Sequence, residues 1–409
     1  MKIIIFDENS YNNFYPLSQT RPLWELICGT FSFKQRLELF LKSSKLKIND
    51  TDIYFFSRDL LVQVIREKNP EMKINDFAVF EKNEDFLFIN SLLVPSNDLP
   101  DINLNTALVK SGKIAAAKTG KIKIDPAISI EDNLNNIQLE KFETDCIKPD
   151  YIWNLIDINP GLIEKDFTYY KSRKNFTDNN VTILGDRSLV YIDENVKIEP
   201  YVVINAEKGS VVILENSEIK SFTRIEGPAY IGKNTILFGA NIREGTSIGD
   251  WCRIGGEVEE SIFHAYSNKY HDGFIGHSYI GEWVNLGAMT TNSDLKNNYS
   301  AVKVYIPKKR KATGSMKVGC FIGDYAKTSI GTLINTGTSI GTGAMLVHSG
   351  SMASSHIPPF SWFINADLVL MDWLGDFLKA SEDMMKRRGK TLTPAISELL
   401  TMLYSQKGN

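Results

Sequence analysis

The chain has 409 residues, 43% of them hydrophobic and 23% charged, with a formal net charge of −3. That is enough apolar material for two or three domains, and it excludes a disordered chain or one that holds nucleic acid or an anionic membrane through bulk charge. No stretch approaches the ~18 consecutive apolar residues of a spanning helix, and Cys28, Cys146, Cys252 and Cys320 match no metal-ligand spacing and fit a reducing cytoplasm.

Residues 1–150 alternate short apolar runs with amphipathic stretches, the pattern of an α/β domain. Lys2–Phe6 predicts a buried strand. It is too short for a signal peptide, turns acidic at Asp7 and Glu8, and lacks a small-residue cleavage site. Phe33, Leu37, Phe40 and Leu41 share a helical face within Phe31–Ser43, and Asp52–Phe56 and Asp85–Ile89 predict further strands. Residues 151–180 are read as a helical linker, with the helix of Pro149–Lys165 interrupted at Pro160.

From Ile183 the helical period disappears and a period of six replaces it. Ile213, Ile219, Ile225, Ile231 and Leu237 form one run; Ile242, Ile248 and Ile254 a second; Phe274, Ile280 and Leu286 a third. Ile322, Ile334, Ile340 and Leu346 form a fourth, with Thr328 in the remaining slot. Glycine follows many of these residues, as in Ile231-Gly232, Ile248-Gly249 and Ile340-Gly341. One inward aliphatic residue per short strand, followed by a tight corner, predicts a triangular β-solenoid over 181–365. Two breaks, between Ile254 and Phe274 and between Leu286 and Ile322, are expected to be functional loops. In 366–409, Leu370, Trp373, Leu374, Phe377 and Leu378 make one helical stripe, and Thr393-Pro394 opens a last helix as N-cap and first residue, so this segment is expected to cap the solenoid.

The densest polar cluster is SNKYHDG, Ser267 to Gly273, followed by Asn285 and by residues 292–298. His271 is one of five histidines. A neutral imidazole suits the base that acyl transfer to an amine or hydroxyl requires, and solenoid backbone N–H groups suit the developing oxyanion. His264 and His277 lie near repeat positions and read as turn residues.

The run SNKYHDGFIGHSYIGEWVNLGAMTTN resembles the acetyltransferase domain of the bifunctional bacterial family that acetylates glucosamine 1-phosphate and then uridylylates it. The whole chain is similar to a family of sugar nucleotidyltransferases that joins both parts. This resemblance implies an N-terminal nucleotidyltransferase-like (Rossmann-like) α/β domain at 1–150 and a C-terminal left-handed parallel β-helix of hexapeptide repeats. It implies acetyl-CoA as donor, a sugar phosphate or nucleotide sugar as acceptor, a cytoplasmic location and a homotrimer. His271 corresponds to the acetyl-transfer base. Arg243, Lys269, Asn285 and Asn292 correspond to residues around the sugar, with Arg243 on its phosphate, and Ala288 lies by the acetyl-CoA site. Lys308, Lys309 and Arg310, in the strongest basic run, are either a solvated loop or a docking point for the phosphates of coenzyme A.

The departures are specific. Phe274 stands for the family's tyrosine, Glu257-Val258-Glu259-Glu260 replaces a substrate-binding lysine with acid, and Asp324 replaces a serine. The first loop, Phe6 to Ser10, has no glycine to cradle phosphates. Asn90-Ser91 stands where the metal-binding Gly-Asp is expected, so a magnesium site is degraded and no metal ligand is assigned. Arg21 occupies the place of the phosphate-binding lysine and either grips a phosphate or pairs with Glu25. The alternatives to acyl transfer are an active nucleotidyltransferase on a structural β-helix, and a non-catalytic nucleotide-sugar-binding or assembly protein.

Overall fold

The structure, a computed structural model, describes residues 1–43, 52–95, 99, 102–170, 181–347 and 350–406. Two compact units divide the chain: Met1–Asn12, Arg21–Leu26 and Phe31–Asp150 make the first, and Asn13–Thr20, Ile27–Thr30 and Tyr151–Asn409 the second. Two short N-terminal segments therefore pack with the second unit, and so does most of what was read as a linker. Its remainder, 171–180, lies outside the described residues.

The first unit is built on a seven-stranded sheet of β1 (Lys2–Phe6), β2 (Ile53–Phe56), β3 (Lys73–Ile74), β4 (Phe86–Asn90), β5 (Thr106–Lys110), β6 (Lys113–Thr119) and β7 (Glu140–Glu143). The strand order is β3-β2-β1-β4-β6-β5-β7. β1 pairs in parallel with β2 and β4, and β6 runs antiparallel to β4. An unbroken apolar run suits a central strand covered on both faces, and Ile3 to Phe6 are all buried. Ile4, Phe6, Phe56, Phe86 and Phe88 form one core, and helices α1 (Phe33–Ser43), α2 (Val62–Lys68) and α3 (Ile130–Asn135) complete the unit. The carboxyl ends of β1, β2 and β4 bring Asp7, Ser57 and Ser91 to one edge, the usual ligand edge of such sheets.

The second unit opens with α4 (Ile152–Phe167), which continues through Pro160 and is not interrupted there. Proline costs a helix roughly 3 kcal/mol, but Leu155, Ile156, Leu162 and Ile163 are buried along its length, each worth about 1.5–3 kcal/mol. Asn159, just before the proline, is fully buried, donating to Gly245 O (2.8 Å) and accepting from Gly29 N (2.6 Å).

The rest is a left-handed parallel β-helix of three faces with one inward row each. The second face is a nine-stranded parallel sheet from Val190–Ile192 to His356–Ile357. Its inward row is Ile192, Ile213, Ile231, Ile248, Phe263, Ile280, Ile322, Ile340 and Ile357. The third face carries Ile219, Leu237, Ile254, Lys269, Leu286, Thr328, Leu346 and Phe363, and the first Ile204, Ile225, Ile242, Val258, Ile275, Asn292 and Ile334. The expected break between Ile254 and Phe274 is thus a complete coil. Val258, Phe263 and Lys269 continue the rows, hidden because the steps from Ile254 to Val258 and on to Phe263 are shorter than six. Ile275, not Phe274, points inward in the next coil.

Two glycines show why the corners are tight. A Cβ on Gly249 would lie 1.6 Å from His264 O of the next coil, and Gly256, at φ +65°, would bring one to 2.6 Å from Lys269 Nζ. The corner after the second face places Asn216, Asn234, Trp251, Tyr266 and Trp283 at φ between 55° and 61°. That left-handed backbone costs a non-glycine residue roughly 1–2 kcal/mol. Stacking of Trp251 on Tyr266 (6.4 Å) and of Tyr266 on Trp283 (4.3 Å) offsets the cost.

The second expected break is a true excursion and contains the antiparallel hairpin Lys303–Ile306 and Lys309–Ala312. At the C-terminus the expected stripe from Leu370 is split. Asp367–Leu370 is a strand antiparallel to Ser361–Ile364, Leu370 and Trp373 are exposed, and α5 (Leu374–Lys386) begins after them. α6 (Pro394–Ser405) starts as expected: Thr393 Oγ1 accepts from Ile396 N.

Candidate active site

The polar cluster lies where the third face turns into the first. In this coil Lys269 takes the inward slot between Ile254 and Leu286, and Asn268 takes the outward slot beside it. Asn268 pairs with Arg253 on one side and Asn285 on the other, and Asn285 pairs in turn with Lys327. Asn268 Nδ2 donates to Asn285 Oδ1 at 3.3 Å. The chain then leaves the strand through Tyr270, His271 and Asp272, all exposed. A Cβ on Gly273, which closes this turn, would meet Thr290 O at 2.1 Å.

His271 is on a coil corner and not on a long loop. Its ring meets the Tyr270 ring edge-on at 5.0 Å, and Tyr270 packs on Phe238. Among the described residues the imidazole makes no hydrogen bond, and the residue is exposed. What holds the corner is Lys269, expected to bind substrate but only 2% exposed. Its Nζ donates to Gly255 O (2.7 Å) and to His271 O (3.2 Å). Burial pushes the Lys269 amine down to about 8 against the pull of Asp272 and Glu257. Asn292, also expected at the sugar, is buried in the first-face row. Its Oδ1 accepts from Gly276 N (2.8 Å) and its Nδ2 donates to Gly276 O (3.0 Å), which joins two coils.

Arg243 stands on the first face among acids. Its guanidinium lies 3.5 Å from Glu257, 3.6 Å from Glu259 and 4.0 Å from Glu226. An acceptor phosphate at this position would displace those carboxylates. Farther along, His277 has Nδ1 2.8 Å from Asp294 Oδ2 and Nε2 3.0 Å from Glu260 Oε2. Burial opposes its charge, but Asp294 and then Glu260 override it and lift His277 to about 9, so this turn residue, at φ +49° as expected of a corner, is an imidazolium at neutral pH. Ala288 is half-buried, its carbonyl accepting from Gly331 N at 2.8 Å. Lys308, Lys309 and Arg310 are exposed at the tip of the hairpin, which is tied to the coil by Ser339 Oγ donating to Tyr305 O (2.9 Å).

The first unit holds a cavity of about 230 Å³ at the carboxyl ends of β1 and β2, lined by Asp7, Glu8, Tyr11, Ser57, Arg58 and Asn75 among others. Arg21 is buried and does not line it; its carbonyl accepts from Arg58 Nη2 at 2.8 Å. Glu25 pairs with Lys68 at 3.5 Å. Arg58, which sequence reasoning missed, is the cavity's cation and lies 4.2 Å from the Tyr11 ring centre; its only signal was its place just after a strand. A magnesium ion does not fit here. Asp7 already accepts from Leu23 N (2.9 Å), Ser57 Oγ (2.6 Å) and Ser91 Oγ (3.1 Å). Glu8 is held by Lys148 (2.8 Å), Lys113 (3.2 Å), Asn90 (3.1 Å) and Ser10. Both carboxylates are spent on protein donors, and among the described residues no three His, Cys, Asp or Glu side chains are grouped to hold a metal ion.

The sugar nucleotidyl transferase family matches residues 3–175. A bifunctional sugar-1-phosphate nucleotidylyltransferase/acetyltransferase of Sulfurisphaera tokodaii is 31% identical over 280 residues, covering 63% of this chain and 60% of that protein. The bifunctional protein GlmU of Methanococcus aeolicus is 30% identical over 233 residues, 56% of this chain and 50% of that protein. The uncharacterized acetyltransferase YaiX of Escherichia coli is 31% identical over 157 residues, 38% of this chain and 68% of that protein. The chain thus spans between half and three-fifths of the first two relatives.

Proposed function

Because the chain belongs to the family of sugar nucleotidyltransferases joined to a hexapeptide acetyltransferase, we propose that its β-helix transfers an acetyl group from acetyl-CoA to the amine of an amino-sugar phosphate or nucleotide sugar. The observation that carries this is the corner at His271: an exposed imidazole on a clamped backbone, with Asn268 and Asn285 on adjacent rungs. His271, as general base, takes a proton from the acceptor amine as the amine nitrogen attacks the thioester carbonyl. The tetrahedral centre then expels the thiolate, which recovers that proton. Asn285 orients the sugar, backbone N–H groups near Ala288 receive the oxyanion, and Lys308, Lys309 and Arg310 meet the phosphates of coenzyme A. Lys269 and Asn292 support the site from inside the coil. Arg243, already ringed by carboxylates, orients that acidic wall and does not grip a phosphate.

The first unit, in this reading, binds a nucleotide or sugar phosphate weakly and does not turn it over, since Asp7 and Glu8 are spent on internal partners. The protein works in the cytoplasm as a homotrimer. One solenoid corner supports the trimer: Tyr201 and Phe222 stack at 5.6 Å while 73% and 75% exposed, and Tyr270, Met289 and Ile330 continue that exposed edge.

The test is release of free thiol from acetyl-CoA on addition of glucosamine 1-phosphate or of nucleotide-linked amino sugars. His271→Ala should lower turnover about 10²–10⁴-fold with little change in KM. Unchanged turnover removes the mechanism and leaves the β-helix a scaffold.

A further inference from the structure

The outward row of the third face, past Glu218, is cationic. Arg253, Asn268, Asn285 and Lys327 occupy consecutive rungs, about 4.8 Å apart, so Arg253 and Lys327 stand roughly 14 Å apart. The C-terminal end of α5 brings Arg387 and Arg388 to the same row, and Arg388 Nη2 donates to Asn268 Oδ1 at 3.0 Å. Arg253 is fixed by donating to Asn234 O (2.8 Å) and Cys252 O (2.9 Å), which are backbone groups and not counter-ions.

These charges have no salt-bridge partner among the described residues, although Glu218 acts on Arg253 from the same row. No salt bridge involves Arg253, Lys327, Arg387 or Arg388 among the described residues, whereas Arg243, on the neighbouring face, has three carboxylates within 4.0 Å. Arg388 Nε is buried without a hydrogen-bond partner. Burial, and then the facing Arg388, hold Arg253 below the usual arginine range, and burial alone lowers Lys327. A small recess opens at this place, lined by Tyr266, Asn268, Trp283, Met384, Arg387 and Arg388. Its wall is the stacked Tyr266–Trp283 pair, whose faces are turned to each other.

Arg253, Arg387 and Arg388, like charges that repel one another without a salt bridge, destabilise a fold unless an anion joins them. We propose that Arg253, Arg387 and Arg388, with the Asn268 amide, form a binding subsite for a phosphate monoester or diphosphate. Forked guanidinium donors suit such a group. The subsite adjoins the His271 corner through Asn268 but does not depend on acyl transfer.

Binding of sodium pyrophosphate to the full chain, measured by titration calorimetry at low and high salt, tests this. Arg253→Gln and Arg388→Gln should each weaken binding about tenfold or more, the loss of one charge-assisted contact. Arg243→Gln should stay within about twofold, since its guanidinium is already paired. Arg253→Lys, which keeps charge and loses the fork, should fall between. Melting temperatures close to the parent confirm that each variant is folded; should one unfold, the partner variant carries the test. Glucosamine 1-phosphate and coenzyme A, run as competitors, then identify the source: Arg388-dependent competition by the first places the subsite on the acceptor, by the second on the donor. Pyrophosphate that fails to bind at millimolar concentration, or binding that survives both arginine changes or is lost with Arg243→Gln, overturns the inference. A chain that binds pyrophosphate through Arg388 yet transfers no acetyl group keeps this inference and sinks the proposed reaction.

Discussion

Replacing Lys269 with methionine should change stability with opposite signs at neutral and alkaline pH. The side chain fills an inward slot, and burial lowers its amine from 10.5 to about 8. At ~1.4 kcal/mol per tenfold, this is roughly 3 kcal/mol against the charged form. Methionine has similar length and removes that penalty, but it leaves Gly255 O and His271 O without their donor. Each lost hydrogen bond costs about 1 kcal/mol, so Lys269→Met should be more stable than the parent by about 1 kcal/mol at pH 7. Because the folded amine is depressed, the unfolded chain holds the extra proton between pH 8 and 10.5, and parent stability rises across that window. By pH 10.5 the order should reverse, with the variant about 1–2 kcal/mol less stable. Urea unfolding followed by tryptophan fluorescence reads this well, since Trp153, Trp251, Trp283, Trp362 and Trp373 all belong to the second unit. A parent–variant difference that is the same at pH 7 and pH 10.5 would refute the reasoning. The same variant frees the His271 backbone, so acetyl transfer should fall even where stability rises.

His277 has its folded value raised, so its contribution is complete below pH ~6.5 and is lost as pH rises through about 9. Glu260 is partly exposed, which limits that contribution to about 1–2 kcal/mol; His277→Gln should flatten the decline between pH 6.5 and 9, and an unaltered pH–stability curve would count against the triad. Gly249→Ala places a Cβ against His264 O and should cost about 3 kcal/mol or more, read as a lower melting temperature; a loss within ~0.5 kcal/mol would mean the coils spread to admit it. Light scattering at micromolar concentration should give three times the chain mass, and Phe222→Glu, on the exposed aromatic corner, should shift it toward monomer; a monomeric parent removes the trimer.

Local pattern was enough wherever one physical constraint acts at a fixed spacing. The buried run Lys2–Phe6 and the helix after Ser32 follow from hydrophobic period alone. The solenoid follows from aliphatic residues every six, because each short strand must put one side chain inward. Thr393-Pro394 marked a helix start because cap chemistry is local. His271, Arg243 and Asn285 were legible as residues of interest, but their surroundings were not.

Tertiary structure decided the rest, and each time the reason is a partner distant in sequence. Lys269 sits in a core row since Gly255 and His271 offer carbonyls to its amine, and no spacing announces that. The coil from Val258 to Lys269 was hidden because tight glycine corners shorten the step while backbone pairing with the coils on either side preserves the rung. Arg243 carries an isolated positive charge on paper and three carboxylates in space, whereas Arg253 and Arg388, 135 residues apart in the numbering, face each other with no salt bridge among the described residues. Charge is written in the sequence residue by residue, but whether it is neutralised depends on which rungs the fold stacks together, and that sum over neighbours exists only once the coils are wound.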